Sequence, residues 1–320
     1  MATALAPEPR IAWSQIVDRQ TGLLTPEQNE VIRRTKVLML GIGGMGMNAA
    51  AHLIRAGFEQ FTLVDFDVVD GTSANRTPFS FDDTLGQQKV DATRYYMLKV
   101  NPAAQIRALS HVKLGLNSDP EFIRQLVEEH DVLSWAMDGM AGRIHYTRIA
   151  HEVGSRHGLG KPAIESWGVP YHFCVWTIPN TAGSPTWERF FNLPTAGQPA
   201  SDISPEQVTE AQKVFLKGFA ALPQLSEALP PDILDKWLNL RISNRTFGPF
   251  VVGCTVLIAY EILQNALRIG GVPLEHSRIH RAPWMVFYDV RRNTSFEYNF
   301  QTRRLRWVHP LTGQLIEETR

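Results

Sequence analysis

The chain has 320 residues, 44% of them hydrophobic and 20% charged, with 32 basic residues against 32 acidic ones. This composition supports a folded core of enzyme size and excludes a disordered or fibrous chain, while the charge balance excludes a whole-molecule field that would recruit nucleic acid or an anionic membrane. Cys174 and Cys254 are the only cysteines, too few for a disulfide framework or a four-thiolate zinc site and in keeping with a reducing cytoplasm.

In chain order, residues 1–30 read as an N-terminal arm whose opening MATALAPEPR lacks an apolar core of signal-peptide length. The longest apolar run, Phe250–Tyr260, is interrupted by Gly253 and falls short of the ~20 residues that span a bilayer, so neither export nor a membrane span is expected. Lys36–Leu40 predicts a strand stopped by Gly41, Met45–Ala56 a helix with small residues at Ala49, Ala50 and Ala51, and Phe61–Val64 a second strand ending at Asp65. Together they make a βαβ unit with parallel strands and a right-handed crossover. Asp131–Met137 and Pro162–Ser166 predict further strands, separated by a helical stretch over Gly142–Gly158, which makes residues 31–178 a nucleotide-binding-type α/β body. From Pro179 the composition turns to Pro, Gly, Ser and Thr, with helices expected over Gln207–Gly218 and Pro231–Leu240, so residues 179–247 read as an inserted loop and helical segment. Residues 248–320 return to the body with a long apolar helix over Gly248–Ile269, strands over Trp284–Tyr288 and Thr294–Tyr298, and a basic turn at Arg303–Arg306 closing an antiparallel hairpin.

Gly41-Ile-Gly43-Gly44-Met-Gly46 fits G-x-G-x-x-G between a strand and a helix. In that context glycine admits phosphate oxygens to the backbone, and the helix start offers unpaired N–H groups with a partial positive charge. Asp65 follows Gly46 by nineteen residues at the tip of the second strand, where a carboxylate accepts ribose hydroxyls. The class is a Rossmann-like, mostly parallel sheet with an inserted helical segment and C-terminal antiparallel strands. The fingerprint alone favours NAD or FAD, but Asp67, Asn75, Arg76 and Lys89 follow Asp65, and Asp138 ends a later strand. Further cations suit a triphosphate, and a carboxylate there suits magnesium bridged to phosphate.

Arg19-Gln-Thr-Gly-Leu-Leu-Thr, the glycine loop, Leu63-Val-Asp-Phe-Asp-Val-Val, Asn75-Arg76, Gly86-Gln-Gln-Lys89, Asn101-Pro102 and Asp138 stand in the order and spacing of the ThiF/MoeB superfamily. These are the bacterial relatives of ubiquitin-activating enzymes. The resemblance runs from about Ile11 to Val175 and returns in Gly248–Ile269. It implies ATP- and magnesium-dependent adenylation of a carboxylate on a ubiquitin-like or sulfur-carrier protein, a peptide or a small acid. It places Gly41, Gly43, Gly44 and Gly46 on the phosphates, Asp65 on the ribose with Asp67 and Asn75 nearby, Arg76 and Lys89 on the phosphates being separated, and Asp138 on magnesium. It also implies a cytoplasmic homodimer in which Arg19 crosses to the partner's site, with no nucleic acid or membrane as partner. The chain departs from the family at Thr72-Ser-Ala-Asn-Arg-Thr77, where the arginine is kept, the preceding asparagine displaced and the following glutamine lost. Zinc-bearing relatives carry a Cys-x-x-Cys pair where this chain reads Pro185-Thr-Trp-Glu-Arg-Phe190, so no zinc is expected, and no cysteine lies between Val175 and Gly253 to form a thioester.

Other residues carry plainer expectations. Cys174 and Cys254 read as inert buried thiols, His145, His151 and His157 with Arg148 and Glu152 as a solvated helix face, and Arg303, Arg304 and Arg306 as an exposed turn. Trp167, Trp176 and Trp187 read as aromatic core, and Arg143 either anchors its loop or touches substrate. A NAD(P)-dependent oxidoreductase and a non-catalytic partner subunit stay open as alternatives.

Overall fold

Lys36–Leu40 (β1), Gln60–Val64 (β2), Gln105–Leu109 (β3), Val132–Trp135 (β4) and Ala163–Val169 (β5) pair in parallel in the order β3-β2-β1-β4-β5. The computed structural model describes residues 11–113, 115, 118–169, 171–222, 229–242, 248–275, 279–291, 294–308 and 315–319. His172–Ile178 (β6) turns antiparallel to β5, and Trp284–Asp289 (β7), Thr294–Asn299 (β8), Arg304–Val308 (β9) and Leu315–Thr319 (β10) continue outward. The expected terminal hairpin is thus a four-strand meander joined to the body through β6.

Side chains alternate along the strands, as a pleated sheet covered on both faces requires. Val37 and Met39 face one core with the helices Pro26–Arg34 (α2, preceded by Trp13–Val17, α1), Gly44–Arg55 (α3) and Lys89–Val100 (α4). Leu38 and Leu40 face the other, under Pro120–Glu129 (α5), Met140–Gly154 (α6), Trp187–Phe190 (α7), Pro205–Ala220 (α8) and Pro231–Leu238 (α9). Helix starts are written locally: Thr25 with Gln28 and Ser204 with Gln207 form capping boxes, each followed by proline at the first helical position.

Gly248–Ile269 (α10) is 22 residues long and apolar enough to cross a membrane on length and composition alone, so the apolar stretch is not too short, as its sequence reading had it. Burial decides its role. Ile258, Ile262 and Leu267 lie in the core against α3, β5 and β6, and Gly253 admits the Phe173 ring so closely that a Cβ would sit 2.4 Å from it.

Two further expectations are corrected. Of the basic turn only Arg303 stays in the turn; Arg304 opens β9, and Arg306 Nε donates to Glu297 on β8 at 2.6 Å while its guanidinium lies 3.8 Å from the Trp284 ring centroid. The histidine face is not solvated: His145 is buried, His151 half-buried and only His157 exposed. Arg148 binds Glu188 through Nε and Nη2 at 2.6 and 2.8 Å and donates to the carbonyls of Thr195 and Gln198. This clamps the 179–242 stretch over α6, where Trp187, Phe190, Phe215 and Phe219 join Trp176 and Phe287 in one aromatic core.

Candidate active site

Strand order reverses between β1 and β4, so the chain leaves the two strands in opposite directions and opens a crevice at their C-terminal ends. Three helices begin there: α3 after β1, α4 after the β2 loop and α6 after β4. Their N-caps, Gly43, Gln88 and Gly139, make no side-chain capping bond. A cavity of about 720 Å³ lies there, lined by the start of α3 at Gly44 and Met45, by Lys89 of α4 and by Arg143 of α6; the N-terminus of α3 turns its positive dipole end toward it.

The four glycines divide by role. Gly41 has φ +91°, and a Cβ there would strike the Ala136 backbone at 2.6 Å; one on Gly46 would lie 1.9 Å from the Gly41 carbonyl oxygen. These two allow close packing of the loop and do not line the cavity, whereas Gly43 and Gly44 do. Above Gly44 lies the Arg76 side chain, whose Nη1 donates to the Thr72 carbonyl at 2.8 Å and to Asn75 Oδ1 at 3.0 Å. Asn48 Nδ2 ties the two segments by donating to the carbonyls of Gly44 and Arg76 at 2.6 and 2.7 Å. Lys89, the first residue of α4, pairs with Asp67 at 2.8 Å at the cavity edge.

Asp65 lies beneath the loop. Its carboxylate accepts the N–H groups of Ile42 at 2.6 Å and Asp67 at 2.8 Å, and burial holds its pKa above the ordinary value against the pull of those bonds. The structure brings Gly43, Gly44, Asn75, Arg76, Lys89 and Asp138 to the cavity, and leaves Gly41, Gly46, Asp65, Asp67 and Arg19 outside its lining. Arg19 sits exposed in the single turn Asp18–Gln20.

Arg143 both anchors and lines. Buried to 3% exposure, it donates from Nε to the Met137 carbonyl at 2.9 Å, beside Asp138, and from Nη1 to Glu165 Oε1 at 3.1 Å. Trp187 Nε1 donates to Glu165 Oε2 at 2.6 Å, which connects α7 through Glu165 and Arg143 to the Asp138 loop. Burial raises the Glu165 pKa even beside the guanidinium. Trp176 and Trp187 are core, while Trp167 is core on one side and cavity wall on the other.

Sequence reasoning missed the opposite wall, formed by Gln212 and Leu216 of α8 and by Trp237, Leu240 and Ile242 at the end of α9. The capping box before α8 marks the helix, but nothing local marks which face meets a cavity.

Both cysteines are fully buried. Cys174 Sγ donates to the Trp167 carbonyl at 3.0 Å; burial pushes its thiol well above the usual range and that of Cys254 up to about 11. Neither is a thiolate near neutrality. Iodoacetamide at pH 8 should leave both unlabelled in the native protein and label both after denaturation, with mass spectrometry as the readout; native labelling of either would contradict this burial.

The ThiF family model matches residues 17–306, nearly the whole chain. The chain belongs to the ThiF family. Among sequence relatives of this ThiF-family chain, the molybdopterin-synthase adenylyltransferase of Escherichia coli is 33% identical over 114 residues, 36% of this chain and 44% of that protein. The tRNA threonylcarbamoyladenosine dehydratase of Bacillus subtilis is 39% identical over 80 residues, 25% of this chain and 32% of that protein. The matched segment is thus less than half the length of either relative. Among solved structures, PaaA superimposes with TM-score 0.61 at 15% identity, covering 94% of this chain and 77% of that one. Escherichia coli MccB crystallised with ATP gives TM-score 0.58 at 16% identity, with 86% and 66% covered. At these identities the structural likeness shows the shared fold.

Proposed function

We propose that this protein adenylates a carboxylate with ATP and magnesium. The observation that carries the reading is the convergence of Gly43, Gly44, Arg76, Lys89 and Asp138 with the N-terminus of α3 on one cavity. A carboxylate oxygen attacks the α-phosphorus, the bond from that phosphorus to the bridging oxygen breaks, and an acyl-adenylate and pyrophosphate result. Arg76 and Lys89 face the charge that builds on the departing pyrophosphate. The adenylyltransferase among its sequence relatives and the ATP in the MccB crystal support the choice of nucleotide.

Asp138 is exposed at the cavity, and one carboxylate together with phosphate oxygens is a donor set that suits magnesium, which is commonly held this way. Bound there, the ion would supply Lewis-acid neutralisation of phosphate charge. The activated carboxylate belongs to a protein, a peptide or a small molecule. Arg19 is assigned to the partner's site in a homodimer, in keeping with its exposure and with the exposed apolar stripe Val252, Val256 and Tyr260 on α10.

ATP with magnesium at a hundredfold excess over Kd should stabilise the fold by about 2.7 kcal/mol, and NAD or NADP should not. Asp138→Asn should raise the magnesium concentration for half-maximal pyrophosphate release about tenfold with a smaller change in nucleotide affinity. Stabilisation by NAD and not by ATP would return the site to an oxidoreductase, and overlapping magnesium titrations would remove Asp138 from the metal.

A further inference from the structure

The cavity has two chemically different ends. Along the sheet edge, Arg76 and Lys89 follow β2, the glycine loop follows β1, Asp138 follows β4, and Ser166, Trp167 and Gly168 end β5. The groups proposed to bind phosphate therefore occupy one side, and beyond Asp138 the wall is mixed, its apolar part made of Trp167, Leu216, Trp237, Leu240, Ile242 and Val251 and its polar part of Gln212 and Arg241. Among the described residues Asp138 is the one carboxylate lining the cavity, against Arg76, Lys89, Arg143 and Arg241, so the balance of charge on the wall favours an anion.

Leu240 is the informative residue. It follows the C-cap Asn239 of α9, and the turn is a Schellman motif: Leu240 N–H donates to the Trp237 carbonyl at 3.0 Å and Arg241 N–H to the Lys236 carbonyl at 2.8 Å. The residue in this place takes left-handed backbone and is usually glycine, because a Cβ is strained there. Here a leucine sits at φ +58°. Its half-buried side chain packs against the main core on one side and lines the cavity on the other. Backbone strain retained at a cavity-lining position is a mark of function.

Resting on the adenylation reading, we propose that this apolar end receives the acyl side of the substrate and selects, through Leu240, a carboxylic acid whose group next to the carboxyl is large and apolar. A diglycine tail has no side chain to cover the exposed parts of Leu240 and Ile242. A phenyl or branched aliphatic group removes them from water, and the wall behind them is largely preformed, since Leu216, Trp167, Trp237 and Val251 are already packed.

The test measures binding to the full chain by calorimetry, with the ATP analogue AMPCPP and magnesium present, of N-acetylphenylalanine, 3-phenylpropanoate and N-acetylglycylglycine. At least one phenyl acid should bind tenfold or more tightly than the diglycine acid, on the scale by which apolar pockets separate such groups; the two phenyl acids distinguish a peptide-like source from a simple acid. Leu240→Gly should reduce the preference to threefold or less and leave AMPCPP affinity unchanged. Equal or reversed affinities in the wild type, or an undiminished preference in Leu240→Gly, would overturn the proposal while AMPCPP binding stands. Failure of AMPCPP to bind the wild type would instead overturn the adenylation reading, and the proposal with it.

Discussion

Arg76→Ala and Lys89→Ala should each lower pyrophosphate exchange by about a hundredfold or more, the usual consequence of removing one preorganised donor from a site where charge develops. Neither should unfold the protein. Arg76 is held by the Thr72 carbonyl and Asn75 Oδ1 over Gly44, and truncating it opens no core cavity. Lys89 keeps its backbone N–H bond to the Asp67 carbonyl at 2.9 Å whatever its side chain, so α4 still begins there. Undiminished exchange by Lys89→Ala would remove it from the phosphates. The same variant tests the shared site: mixed with an Arg19→Ala chain, it should regain activity, because one site of each mixed dimer then collects both lesions and the other is intact. No recovery after verified subunit exchange would return Arg19 to its own subunit.

Much of the fold was legible because its signals are local. The glycine loop, the apolar runs of β1, β2 and β4 and the length of α10 are written in consecutive residues, and each element forms where expected. The stretch between Asp65 and Asp131 carried no reading of its elements; its α4, β3 and α5 have weaker signatures, and β3 lies at the sheet edge with Gln105 and Arg107 outward. Of the candidate site, the residues around Gly43, Gly44, Arg76, Lys89 and Asp138 were legible through spacing; Asp65 lies outside the cavity lining, where its carboxylate accepts two backbone N–H groups. His145 and Arg148 were misread because their surroundings come from distant segments, Ser118 for the one and Glu188, Thr195 and Gln198 for the other. The apolar wall was invisible for the same reason, since only folding brings α8 and the α9 turn to the end of β5.

Glu165→Ala should cost about 3–5 kcal/mol in denaturant unfolding, the range for breaking one partner of a buried ion pair. Glu165 has no exposure, and it accepts from Arg143 and Trp187 on separate oxygens. Alanine leaves a buried guanidinium without its counter-charge and an indole N–H without its acceptor, so both desolvation costs fall on the folded state. Glu165→Gln should lie between, since one amide oxygen replaces two acceptors. The raised pKa fixes the pH dependence: the unfolded carboxyl ionises first, so the advantage of wild type over Glu165→Gln is greatest below the unfolded value and falls as pH rises through the folded one. The strongest discrimination comes from removing both charges. Glu165→Leu with Arg143→Met should recover most of the stability lost in Glu165→Ala, because apolar groups of similar volume leave nothing unpaired, yet it should not recover activity. Arg143 Nε holds the Met137 carbonyl next to Asp138, and without it that loop is free to move the proposed magnesium ligand. If the double variant restores activity along with stability, the pair serves the core alone and Asp138 is positioned by something else.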